Sequence, residues 1–424
     1  MRQETRRCLE LDRAHCWHPF TPQDDWCSTD FEPIAIARGQ GVWLFDTENR
    51  RYFDGNSSIW TNIHGHAHPH ITAAIQRQAE TICHSSFLGY THPLAAELAE
   101  KLTRLLPGQP MERVFFSDNG STAIEVALKM ALQYRQQTGE PERNGFIAFV
   151  NGYHGDTLGA ASIGGVSRFF DRFRGPGHPL HQISSIEDLH QLPEEIVRST
   201  AGLVIEPLIQ GVNQMRPWPP GTLAELRRWS TANGIHLILD EVMTGFGRTG
   251  KMFACQHENV VPDFLCLAKG LTGGYLPLAA TLTTQEIYDA FRGPAENAFY
   301  YGHSYTANPL GCAAALASLE VFESEKTLEM LQPKLATFSS RLEALGNQSP
   351  QIKEIRQVGL IAGIELHSHP TRSGKSVCQL AMKHGLSTRP ILDTIVIMPP
   401  LCTTESELDF VFEALQSSLN ESGH

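Results

Sequence analysis

The chain has 424 residues, of which 41% are hydrophobic and 19% charged, a composition that supports a large buried core rather than a disordered polymer. Its formal charge of -12 and the lack of a dense Lys/Arg stripe argue against nucleic acid as a partner. No run is long and apolar enough to suggest a membrane span, and the opening residues lack the apolar core of a secretory signal, so a cytoplasmic protein is expected.

In chain order, residues 1–60 read as extended pieces and turns that pack onto a C-terminal lobe. The run "HGHAHPH" alternates His64, His66, His68 and His70, but Gly65 and Pro69 interrupt it. A loop of partly buried, hydrogen-bonded histidines is expected there, with no metal. From Arg113 onward, short β-rich runs alternate with helical segments: "RVFFSD", "GFIAFV", "GLVIEPLI", "HLILDEV", "DFLCLAK" and "LAATLTT". That rhythm predicts a mainly parallel sheet between helices. The helix in "STAIEVALKMALQY" is the clearest, with Ile124, Leu128 and Ala131 at helical spacing and Ser121 and Thr122 near its start. After about residue 308, "GCAAALASLEVFES", "GLIAGIEL" and "TIVIMPP" suggest a smaller α+β lobe. The expected division is 1–60 as an N-terminal segment, 61–308 as the large domain and 309–424 as the small one. Nine scattered cysteines without CxxC pairs are read mostly as core residues.

Four features bear on chemistry. Lys269 follows the apolar "FLCLA" and would sit at the carboxyl edge of the sheet, where open α/β sheets bind ligands. Desolvation there would make it a nucleophilic amine, although taken alone the pattern favours a strand-end lysine with its head in water. Asp240 ends the apolar strand in "HLILDEV" and offers an anion for a pyridinium nitrogen, or else caps a loop. Gly120 and Ser121 occupy a strand-to-helix turn suited to a phosphate, and Tyr153 in "NGYHGDT" can stack on a ring. The run "GFGRTGK" imitates a phosphate loop, which would make the chain a nucleotide-binding protein. Met252 follows the lysine where a hydroxyl residue is required, so a surface turn with glycines at positive φ is expected instead.

Taken together, "LILDEVMTGFGRTGKMFACQHENVVPDFLCLAKGLTGGYLPLAA" resembles the signature of the class III (ω-type) aminotransferases of pyridoxal phosphate fold type I, across nearly the whole chain. The resemblance implies that fold, pyridoxal 5'-phosphate as cofactor, a homodimer and small-molecule substrates. Lys269 would carry the cofactor, with Asp240 at its ring nitrogen. Gly120 and Ser121 would bind its phosphate, and Tyr153 would cover the ring. The runs "WHPFT", "DGNSSIWTNIHGHAHP", "GHSYTANPLGCAAA" and "TRPILDTIVIMPP" resemble the biotin-pathway branch, whose acceptor is 8-amino-7-oxononanoate. By that resemblance Phe20, Ile59, Trp60, Tyr153 and Gly302 contact substrate, and Arg389 clamps its carboxylate. His303 and Ser304 would reach a phosphate across the dimer interface. S-adenosylmethionine is the default amino donor. Members that use it carry "HPYT", "SSWW" and "HGPTF", whereas Phe20, Ile59 and "GHSYT" here are closer to the branch that takes lysine.

Overall fold

The computed structural model describes residues 1–28, 33–106, 108, 111–171 and 178–422. Three antiparallel strands, β1 (Ile36–Gln40), β2 (Trp43–Asp46) and β3 (Arg51–Asp54), form a small sheet, and the short strand Leu386–Ser387 pairs in parallel with β3. The N-terminal region therefore shares a sheet with a segment more than 300 residues away. Its first part departs from the extended expectation, because Gln3–His15 and Gln23–Cys27 are helical. The first helix buries only Thr5 and Leu9, so it has little apolar face for sequence to reveal.

Seven strands form the main sheet: β4 (Met111–Ser117), β5 (Gly145–Phe149), β6 (Leu180–Ile183), β7 (Thr200–Ile205), β8 (His236–Asp240), β9 (Phe264–Leu267) and β10 (Ala279–Thr284). Their order is β4-β10-β9-β8-β7-β5-β6. β10 runs antiparallel to both neighbours, and the remaining pairs are parallel. β6 was not among the expected runs. Its sequence, "LHQI", is half polar and only half-buried along most of its length.

The alternation of side chains across the sheet divides the core in two. Leu237, Leu239, Leu265 and Leu267 join one cluster, while Ile238, Phe264 and Cys266 join another with the helix Gly120–Gln137. Both faces are covered, which is why β8 and β9 read as continuous apolar runs. Burying each of these leucine or isoleucine side chains contributes about 1.5–3 kcal/mol before entropy is counted.

A second, antiparallel sheet of four strands follows: β11 (Ile352–Val358), β12 (Ile361–Leu366), β13 (Arg389–Ile391) and β14 (Thr394–Ile397), in the order β11-β12-β14-β13. The expected helix at the start of this region is present as Pro309–Ser324. Among the described residues, no helix is long and apolar enough to cross a membrane. Four cysteines are buried, four are exposed and Cys402 is in between, so fewer lie in the core than expected.

Candidate active site

The carboxyl ends of β4, β5, β7, β8 and β9 open onto a cavity of about 420 Å³, lined among others by Gly120, Ser121, Tyr153, Glu206, Asp240 and Lys269. β8 and β9 are adjacent and parallel, with Asp240 in register with Cys266, so the strand-end carboxylate and the lysine three residues further on reach the same edge.

Lys269 adopts a left-handed backbone, φ 43°, at the start of a single 3-10 turn. Such a conformation in a non-glycine residue costs about 1–3 kcal/mol and persists only where the surroundings enforce it. Its Nζ lies 4.5 Å from the centre of the Trp60 ring. Burial lowers its pKa from the ordinary 10.5 to about 8, against the opposing charges of Asp240 and Glu206. Between pH 8 and 10.5 the unfolded chain holds a proton that the folded chain has released. This group's contribution to stability therefore rises with pH across that window, and below it the buried ammonium is a cost. In cofactor-free protein, Lys269→Met is expected to be more stable than wild type at pH 7 by about 1–3 kcal/mol. The difference should narrow toward pH 10.5, and urea unfolding at pH 7 and pH 10 checks it. An unchanged difference would exclude the buried charge as its cause.

Asp240 is 6% exposed. Its Oδ2 is 2.8 Å from His154 Nδ1, and its Oδ1 accepts the Val242 N–H at 3.2 Å. The Glu206 carboxylate accepts the N–H groups of Tyr153 at 2.9 Å and Gly211 at 2.8 Å, which ties two loops together. Burial pushes the Glu206 carboxyl up to about 7, aided by the charge of Asp240 and opposed by His154.

The helix Gly120–Gln137 begins beside the cavity. Asn119 caps it by accepting the Thr122 N–H at 3.0 Å, and the Thr122 hydroxyl accepts the Asn119 N–H at 3.1 Å. Helix geometry leaves the amides of Gly120 and Ser121 without intrahelical partners, and both residues line the cavity. The approach is close: a Cβ on Gly120 would lie 2.7 Å from Val242, and one on Gly155 would lie 2.2 Å from Ser121 Oγ. Ser121 Oγ itself accepts the Asp156 N–H at 3.0 Å. Tyr153 also lines the cavity and donates its hydroxyl to Asp156 Oδ2 at 2.6 Å.

Trp60 closes the cavity from the N-terminal region. Four consecutive residues, Ser57, Ser58, Ile59 and Trp60, have φ between 45° and 69°, a left-handed turn that tertiary contacts hold in place. Ser57 Oγ donates to the Met398 carbonyl at 2.6 Å, Ser58 Oγ to Asp54 Oδ2 at 2.7 Å, and Trp60 Nε1 to Asn56 Oδ1 at 2.7 Å.

Other expected site residues lie outside this lining. Ile59 is 43% exposed on the same turn as Trp60. Phe20 is 61% exposed and meets Phe169 edge-on at 5.5 Å, and Phe169 in turn lies 6.3 Å from Tyr153. Arg389 begins β13 on an exposed face. Gly302 and Ser304 are exposed and His303 half-buried, on a loop away from the cavity of this chain. His154, Glu206 and Val242 belong to the site although they were not singled out in the sequence.

Two further runs resolve plainly. "GFGRTGK" is a turn with Gly247 and Gly250 at φ 86° and 100°, as expected, but residues 245–249 are buried and only Lys251 is exposed. Arg248 is fully buried and donates to the carbonyls of Pro399 and, at 2.7 Å, of Asn62. The next element is the short 3-10 helix Ala254–His257, so the run opens no helix onto a phosphate. In "HGHAHPH", His64 meets Ser318 at 3.1 Å, His66 meets Asp54 at 2.9 Å, His68 meets Glu325 at 2.9 Å and His70 meets Glu320 at 2.6 Å.

A strand-edge amine, a hydrogen-bonded carboxylate, open helix amides and a flanking aromatic define a pyridoxal phosphate enzyme of the α/β type. The family model for aminotransferase class-III matches residues 27–419, and the chain belongs to that family, whose cofactor is pyridoxal 5'-phosphate. It is 43% identical, over 98% of its length and 82% of the relative, to an adenosylmethionine-8-amino-7-oxononanoate aminotransferase of Nitratidesulfovibrio vulgaris. It is 41% identical to the Geobacter sulfurreducens protein of that name, over 98% of both chains. The crystal structure of the Methanocaldococcus jannaschii protein of that name superposes with a TM-score of 0.95 at 38% identity, covering 99% of this chain and 100% of that one. A pyridoxal-phosphate-bound amine transaminase from an uncultivated Pseudomonas species gives 0.90 at 32% identity, covering 96% and 98%.

Proposed function

We propose that the chain transfers an amino group to the ketone of 8-amino-7-oxononanoate, giving 7,8-diaminononanoate for biotin synthesis. The carrying observation is full-length similarity, at 38–43% identity, to several proteins named for that reaction. When bound, pyridoxal phosphate supplies a carbonyl to hold the amine and a ring to withdraw electrons. Lys269 would hold the cofactor through Nζ, and the same amine is placed to move the proton at the substrate carbon. Asp240 would keep the proton on the ring nitrogen. The Gly120 and Ser121 amides would receive the phosphate, with the Ser121 hydroxyl beside them, and Tyr153 would cover one ring face. Trp60 and the Ser57–Trp60 turn exclude water above Lys269.

Arg389 receives the substrate carboxylate, a role that suits a guanidinium fork, while Phe20 and Ile59 border the entrance. Gly302, His303 and Ser304 serve the site of a second copy in a homodimer, in keeping with their place on an exposed loop off this chain's own cavity. The three-part division at 60 and 308 fits this arrangement, as does a cytoplasmic biosynthetic location.

The donor is the open choice within this function. An Ile at position 59 offers no flat face to a sulfonium or adenine, and cation-π attraction to such a face is worth roughly 0.5–2 kcal/mol. Lysine is therefore proposed as a donor beside S-adenosylmethionine. Each is added singly to the holoenzyme while the band at about 420 nm from the lysine-bound cofactor is followed. Faster loss with lysine is expected, and bleaching by S-adenosylmethionine alone would exclude lysine. Product formation from 8-amino-7-oxononanoate, read by mass spectrometry, tests the whole function. Acceptance of pyruvate or 2-oxoglutarate in its place would redirect it to another ω-aminotransferase.

A further inference from the structure

We propose that His154 is a positioning residue for the reaction, its imidazole fixing and aiming the Asp240 carboxylate through the Nδ1–Oδ2 hydrogen bond. This rests on the role given to Asp240 above.

The imidazole comes from the loop after β5, while Asp240 ends β8, and β7 lies between those two strands. His154 thus reaches past the end of an intervening strand to meet the carboxylate. Its ring is held beside Gly152, where a Cβ would lie 3.1 Å from Nε2, so a larger residue would crowd it. His154 is 3% exposed and Asp240 6%, so the contact is buried in the floor of the cavity that both residues line.

A carboxylate that deep requires a donor at each oxygen. Val242 N–H supplies one and His154 the other, and His154 is the only cationic side chain paired with Asp240 among the described residues. With both oxygens held, the carboxylate cannot rotate away from the cavity. Two acids face the imidazole, Asp240 from β8 and Glu206 from the end of β7. Burial draws the His154 pKa down, but the hydrogen bond and charge of Asp240, with the charge of Glu206, outweigh it and leave the pKa raised. The histidine therefore keeps its proton to higher pH than an ordinary one.

The structural readout uses the cofactor-free protein. Wild type should show a strongly downfield Nδ1 proton in its NMR spectrum, and that signal should vanish in His154→Asn and lose its strong downfield shift in Asp240→Asn. A signal that keeps its wild-type position in Asp240→Asn would overturn the proposal. The kinetic readout is the single-turnover reaction of the holoenzyme with saturating donor. His154→Ala should slow it by about 10–100-fold, the usual scale for losing an outer partner of a functional group, with the donor KM changed by less than about threefold. The Asn side chain places an amide N–H near the former Nδ1, so His154→Asn should recover most of the rate. A wild-type rate in His154→Ala, or a His154→Asn protein that folds yet is as slow as His154→Ala, would sink the proposal. If His154→Ala does not fold, the NMR comparison and the His154→Asn rate decide. Failure of the Asp240 role shows separately, as a wild-type rate in Asp240→Asn.

Discussion

Lys269→Ala is expected to abolish amino transfer while leaving a folded protein that still binds pyridoxal phosphate without a covalent bond. Alanine removes both the nucleophile and the group placed to move the proton, and a positioned acid-base group alone is worth about 10²–10⁴-fold, so a loss of at least about 10³-fold should be measured. The fold should survive, because the side chain makes no ion pair among the described residues and a lowered pKa marks it as a cost rather than a support at neutral pH. Borohydride treatment followed by mass spectrometry gives an independent reading, since the cofactor should remain attached to wild type and not to the variant. Turnover at the wild-type rate would remove Lys269 from the mechanism.

The lysine could be found in the sequence for a physical reason. A strand covered on both faces must be apolar along its length, so a charged residue just past its end marks the rim of the sheet. Asp240 stands out in the same way. The apolar runs of β5 and β7 to β10 were visible on that principle, as was the helix Gly120–Gln137 from its 3.6-residue period. β6 lacked the pattern because only Ile183 in it is buried.

Other parts of the site depend on contacts between residues far apart in sequence, and no local pattern encodes them. The left-handed turn at Ser57–Trp60 contains no glycine. It is held from outside, through Asp54, the Met398 carbonyl and the Arg248 guanidinium on the Asn62 carbonyl. Arg248 looked like part of a surface turn because arginine in a glycine-rich run is usually solvated. Its burial becomes possible only when the carbonyls of Asn62 and Pro399 come to meet it. Glu206 lies just past β7, as Asp240 ends β8, and could have been found by the same argument applied to "GLVIEP". His154 stood beside Tyr153 in plain view, but its partner is 86 residues away, and only the fold reveals it.

Asp240→Asn keeps the size and one hydrogen-bond acceptor of the side chain and removes its charge. In a site this dry, with Asp240 6% exposed, an anion beside a ring nitrogen stabilises a proton there far more than it would in water. An amide cannot do so, and it also places an N–H₂ group or a weaker acceptor opposite the protonated Nδ1 of His154. Two effects should follow. The proton-transfer step should slow by about 10²–10⁴-fold, the scale of losing a preorganised charge at the reacting group. Cofactor affinity should fall much less, because the phosphate contacts proposed for Gly120 and Ser121 and the bond proposed for Lys269 would be untouched. Single-turnover rates with donor, set beside equilibrium dialysis of pyridoxal phosphate, separate the two. The substitution also bears on Lys269. Asp240 is the largest influence raising that lysine's pKa, so its neutralisation should move the Lys269 titration further below about 8. In cofactor-free protein, the pH dependence of Lys269 modification by an amine-reactive reagent reads that shift, and a variant whose profile stayed where wild type has it would show that Asp240 does not share its field with the lysine.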